Sequence, residues 1–144
     1  MSIKYICDKK KKLTISVWHH HVTFEQWKKN VEKLLADPDF IHTNKQIVDI
    51  HIGSADISIG EEEIKQVLQY ILKHPELVVG RKIAIIAGKE FHRSTMFTHF
   101  ARSQSLNTIV FNDLHTACKW LGIDRQEAEL TIEQIRKDLD RSTQ

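Results

Sequence analysis

The chain has 144 residues, 41% of them hydrophobic and 28% charged, with two prolines and five glycines. That balance excludes fibrous and disordered classes and suits a single globular domain, large enough to bury roughly two thirds of its unfolded surface. The 21 Lys and Arg against 19 Asp and Glu give a net charge of +2 with the signs mixed, which offers no field to attract a polyanion, so nucleic acid is not expected as a partner.

Ile3 to Cys7 and Leu13 to Trp18 are short β-branched or aromatic runs, and Lys9-Lys10-Lys11-Lys12 lies between them. They read as an antiparallel hairpin closed by a solvated lysine turn, in whose second strand Leu13, Ile15 and Val17 alternate with Thr14, Ser16 and Trp18. Thr23 then caps a helix running to about Ala36. Phe24, Trp27, Val31, Leu34 and Leu35 form its apolar face, Gln26 completes a capping box, and Asp37-Pro38-Asp39 ends it.

Gln46 to Ile52 reads as a buried strand, followed by a loop holding Gly53, Ser54, Asp56, Ser58 and Gly60. Glu61-Glu62-Glu63 opens the next helix, where acids suit the positive end of the dipole. Ile64, Val67, Leu68, Ile71 and Leu72 give that helix its apolar face. Pro75 and Gly80 punctuate the route to Lys82-Ile83-Ala84-Ile85-Ile86-Ala87, whose near-continuous apolarity marks a central strand.

Phe91 to Ser103 carries Met96, Phe97, Phe100 and Ala101 at helical spacing, and Thr108 to Phe111 reads as a last strand. Asp113 caps a short helix that Gly122 stops. From Asp124 onward, Ala128, Ile132, Ile135 and Leu139 form a narrow apolar seam that either packs on the parent domain or pairs with its copy in a homodimer. Helices between the later strands require crossovers, so the fold class is α/β with a mixed, mostly parallel five-stranded sheet.

Cys7 and Cys118 lie far apart with no CxxC companion, so two reduced thiols are expected rather than a disulfide or a zinc knuckle. The N-terminus lacks a signal-peptide core and no apolar run approaches the ~20 residues that span a bilayer. A cytoplasmic protein without a transmembrane segment is the expectation.

The order of these signals resembles a known family: Asp-Pro-Asp-Phe after the first helix, Ile47-Val-Asp-Ile, Asp56-Ile-Ser58-Ile-Gly60 leading into a helix, Lys82-Ile-Ala-Ile-Ile-Ala, Ser94-Thr-Met-Phe, and Ile109-Val-Phe-Asn-Asp-Leu-His-Thr-Ala-Cys-Lys-Trp-Leu-Gly122. It is similar to the SpoIIAA-like, or STAS-like, family of small bacterial proteins over about residues 3 to 122. The resemblance implies a β-α superhelix shared by anti-sigma-factor antagonists and lipid-carrying CRAL-TRIO domains. Residues 1–122 would form the STAS-like domain and 123–144 a helical extension of it. In the antagonists a serine before a glycine at a helix start is phosphorylated, and the matching place here is Ser58, although Asp-Ser-Ser-Gly becomes Asp-Ile-Ser-Ile-Gly.

Taken from the residues alone, Ser58 beside a helix N-terminus is also an anion site or, more simply, a capping serine. His19 and His21 project to one face of an extended backbone, as imidazole ligands do, and a third ligand would have to come from His51, His92 or His99. A polar strand end is the simpler reading, so no metal and no cofactor are expected. Gly88-Lys89 belongs to no complete phosphate-binding motif. Ligands of open α/β sheets gather outside the carboxyl ends of parallel strands, which makes His51, Asp56, Lys89, His92 and Arg93 the expected pocket rim.

No nucleophile motif such as GxSxG is present. The expectation is therefore a non-enzymatic STAS-like binding or regulatory module acting through contacts with another protein. Carriage of a small apolar or lipid ligand, as in CRAL-TRIO domains, is the alternative. An enzyme or metal protein using the histidine-rich strand edge is the second.

Overall fold

The computed structural model describes residues 2–50, 56–88, 91–104 and 106–142, with the side chains at 56–58, 91–93 and 142 outside the description. Strands β1 (Ile3–Asp8) and β2 (Leu13–Trp18) form the expected antiparallel hairpin. The lysine turn is solvated at all four positions, and Lys12, at φ 56°, supplies its left-handed residue. A short strand β3 (His21–Thr23) leads into helix α1 (Phe24–Ala36). The Thr23 hydroxyl accepts from the Gln26 amide, and the Gln26 side chain accepts from the Thr23 amide. This is the predicted capping box.

A 3₁₀ turn at Phe40–His42 precedes β4 (Lys45–Asp49) and β5 (Asp56–Ser58). Helix α2 (Glu61–Leu72) follows, then a single turn α3 (Pro75–Val78), β6 (Lys82–Ile86) and α4 (Phe91–Ser103). The chain continues through β7 (Asn107–Phe111), α5 (Leu114–Leu121) and α6 (Arg125–Ser142). Gly122, at φ 70°, caps α5 in the left-handed conformation that glycine enters at little cost.

The main sheet has the order β1-β2-β4-β6-β7, antiparallel between β1 and β2 and parallel elsewhere. A second, two-stranded sheet not anticipated from the sequence pairs β3 with β5, setting His21 against Asp56 and Thr23 against Ser58. Three-residue strands are too short to show a period-2 pattern, which hid them.

Because strand side chains alternate, the sheet divides the core in two. On one face Trp18, Val48, Ile50 and Ile85 pack with residues of α1, α2 and α4 such as Trp27, Val31, Ile64 and Phe97. On the other, Leu13, Ile15, Val17, Ile47, Ala84 and Ile86 meet Ala117, Cys118 and Leu121 of α5 and Ala128, Ile132, Ile135 and Leu139 of α6. The α6 seam therefore packs on its own sheet. Thr14 and Ser16 are buried as well: Ser16 shares a wall with Trp27, Val31 and Leu34 of α1, and the Thr14 hydroxyl lies 2.8 Å from that of Thr43.

Polar ties fasten α6 along its length. Lys11 pairs with Glu127 at 2.7 Å, Lys4 with Asp138 at 2.8 Å, and Arg136 with the buried Asp49 at 3.3 Å. Just before β6, Arg81 is 3% exposed and donates to the carbonyls of Phe40, Thr43 and Leu77 and to the Thr43 hydroxyl. Burial lowers its pKa to about 10. No described helix is long and apolar enough to cross a membrane.

Candidate functional site

The parallel strands β2, β4 and β6 end together, and their carboxyl edge is where an open α/β sheet gathers ligands. Of the residues expected to rim that edge, His51 and Lys89 lie outside the described residues. Asp56 is placed by its backbone in β5 opposite His21, and His92 and Arg93 by theirs in the first turn of α4. Their side chains lie outside the described set. Ser58 sits in β5, two residues before the actual N-cap, Gly60, whose amide donates to the Glu63 carboxylate at 3.0 Å. The capping role expected of Ser58 is thus taken by Gly60 and Glu63.

Histidines do meet at this edge, though not the expected pair. After β2 the backbone stops being extended: His20 adopts φ 61°, so the chain turns between His19 and His21. His19 and His20 come together instead, with ring centroids 3.7 Å apart and planes at 52°. The third group is Asp140 from the last turns of α6, whose Oδ1 lies 2.6 Å from His19 Nε2. One ligand atom from each of the three lies within 4.8 Å of the others. His19 is buried, whereas His20 and Asp140 are exposed. The carboxylate lies 121 positions from His19, a separation that no local spacing reveals. The other candidate in view, His99, stands on α4 against Phe100.

Between the sheet and α1, α2 and α4 lies a cavity of about 120 Å³. Its wall is mostly apolar, with Trp18, Trp27 and Phe97 in a chain of tilted and edge-on contacts, centroids 5.9 and 5.8 Å apart. Tilted pairs of this kind hold aromatic rings in fixed relative positions. Ser16, Asn30, Gln46 and Ser94 bring polar atoms to the same wall. Ser16 and Gln46 were legible only as members of strands. Their role follows from α1 covering that face.

The thiols are far from both places in chemical character. Burial pushes Cys118 up to about 11, and it raises Cys7, which the Thr14 hydroxyl meets at 3.5 Å. Neither is an activated nucleophile.

No family model and no curated protein matches this chain. Among solved structures it is similar to an uncharacterized protein from the DUF3478 family with a SpoIIAA-like fold, from Shewanella loihica PV-4. The two are 22% identical, the match covers 83% of this chain and 94% of the other, and the TM-score is 0.50. The fold is SpoIIAA-like.

Proposed function

We propose that this chain is a non-enzymatic binding module that takes a small apolar ligand between its sheet and the layer formed by α1, α2 and α4. The supporting observation is the cavity of about 120 Å³ under Trp18, Trp27 and Phe97. It approaches the ~150 Å³ of an engineered apolar cavity that stays dry and admits benzene. It is smaller than the ~300 Å³ at which sites for drug-sized ligands begin. A single ring or a short branched chain fits such a volume, and a lipid tail exceeds it. The polar atoms of Ser16, Asn30, Gln46 and Ser94 suit a ligand with one hydrogen-bonding group.

Within this reading His51, Asp56, Lys89, His92 and Arg93 are the proposed rim, since they follow β4 and β6 in the chain order. Ser58 precedes Ile59, which lines the cavity, so phosphate on Ser58 is a proposed means of control. The test uses benzene with full-length protein. A rise in melting temperature and a changed tryptophan emission are expected, and Ser16→Val, which places two carbons in the cavity, should reduce both. Identical responses of the two proteins would overturn the reading.

A regulatory role through contacts with another protein is favoured by a separate observation. Ile41 and Val79 are 58% and 62% exposed, on two segments that Arg81 ties together. In this reading Ile41 and Val79 supply the aliphatic contacts to the partner. Ile41→Asp with Val79→Asp should leave folding unchanged and release any partner recovered from the host. Retention of that partner would remove this reading.

A further inference from the structure

We propose that His19, His20 and Asp140 form a binding site for a divalent transition-metal ion of the zinc type, which joins the end of β2 to the end of α6. The inference goes beyond the ligand reading above and does not depend on the cavity.

Two imidazoles and one carboxylate are what a borderline ion such as Zn²⁺ selects, while hard cations prefer an all-oxygen shell. The ligand atoms lie within 4.8 Å of one another. Ligands about 2.1 Å from a shared tetrahedral ion stand roughly 3.4 Å apart, so a modest movement of two side chains is enough to close the site. The two that must move are the exposed ones, His20 and Asp140, while buried His19 anchors the group. Water completes the coordination.

The backbone at His20 carries the same message. A simple His19–Asp140 hydrogen bond has no need of His20, yet the chain holds His20 at φ 61°. That conformation is costly for a residue with a Cβ and clusters at functional sites. Its effect here is to bring the second imidazole to within 3.7 Å of the first, centroid to centroid.

The state of His19 is compatible with exchange. Asp140 accepts from Nε2, and the buried Nδ1 has no hydrogen-bond partner among the described residues. Metal binding at Nε2 moves the ring proton to Nδ1, and the cost of leaving that buried N–H without an acceptor is offset by the metal–ligand bonds. Arg136, one turn before Asp140, is neutralised by Asp49, so its charge is not directed against a cation.

The experiment is calorimetric titration of Zn²⁺ into tag-free, full-length protein, with Mg²⁺ as the control. One site with a dissociation constant in the micromolar range or tighter is expected, with no heat from Mg²⁺. His20→Ala and Asp140→Asn replace exposed side chains and should fold as the wild type by circular dichroism. Each should weaken Zn²⁺ binding tenfold or more. Absence of binding at millimolar Zn²⁺, equal binding of Mg²⁺, or an affinity unchanged by either substitution would overturn the proposal.

Discussion

Arg136 on α6 reaches the carboxylate of Asp49 at the end of β4, 3.3 Å away, although Asp49 is only 1% exposed. Asp49 faces the α5–α6 side of the sheet, in the middle of an apolar layer, and a carboxylate there is tolerated because the Arg136 guanidinium compensates it. Replacing Arg136 by Met should cost about 3 kcal/mol, the range for breaking a buried pair from one side. Asp49→Asn with Arg136→Met should recover much of the loss. Urea unfolding of the two single variants and the double variant measures the coupling, and a purely additive result would mean the pair is not coupled.

The same helix supplies half of a core. Ile135 is fully buried against the sheet while Leu130, five residues earlier, is 67% exposed. Ile135→Ala should destabilise by about 2–5 kcal/mol, and Leu130→Ala should stay within about 0.5 kcal/mol. Ending the chain after Gly122 should expose Leu13, Ile15 and Ile47 and yield a protein that binds hydrophobic dyes and unfolds without cooperativity. A well-folded truncated chain would show that α6 is dispensable.

The elements legible in the sequence were those whose signals are local. The capping box at Thr23, the cap at Asp113 and the stop at Gly122 each involve residues three or four apart, and all stand where they were expected. The apolar run from Lys82 to Ile86 is central because both of its faces are covered. What escaped depends on distant partners. The β3–β5 pairing joins three-residue strands, the burial of Ser16 depends on α1 and that of Thr14 on Thr43, and Asp140 reaches the histidines only once α6 has folded back. The histidines differ for a related reason: an extended strand end would set His19 and His21 on one face, whereas the left-handed His20 brings the rings of His19 and His20 together.

Alkaline pH should weaken the fold through its acids. Burial raises Cys118 from 9.0 to about 11, and raises Cys7 and Tyr5 as well. Each group therefore keeps its proton in the native state at a pH where the unfolded chain has released it. The unfolded state then binds fewer protons, and stability falls as pH rises through 9 towards 11. Below pH 9 this contribution is absent. Cys118→Ala should flatten the slope of urea midpoints over that window. At pH 8 a thiol reagent should label the half-buried Cys7 ahead of the buried Cys118, and equal rates would contradict the burial.

Two effects of Arg81 oppose each other. Its guanidinium is desolvated, which lowers its pKa to about 10 and by itself disfavours the folded state. Against that, it donates to Thr43 O at 2.7 Å, Phe40 O at 3.0 Å and Leu77 O at 3.1 Å, and lies 3.8 Å over the Phe40 ring. A hydrophobic replacement is neutral where both partners of a buried pair are exchanged, but here the partners are main-chain carbonyls that no substitution removes. The lost hydrogen bonds should therefore outweigh the relief of desolvation, and Arg81→Met should cost about 2 kcal/mol. Arg81→Lys should fall between the two, since an ammonium cannot span three carbonyls in the fork geometry. Thermal unfolding of both variants gives the order, and a stabilised Arg81→Met protein would show that desolvation wins.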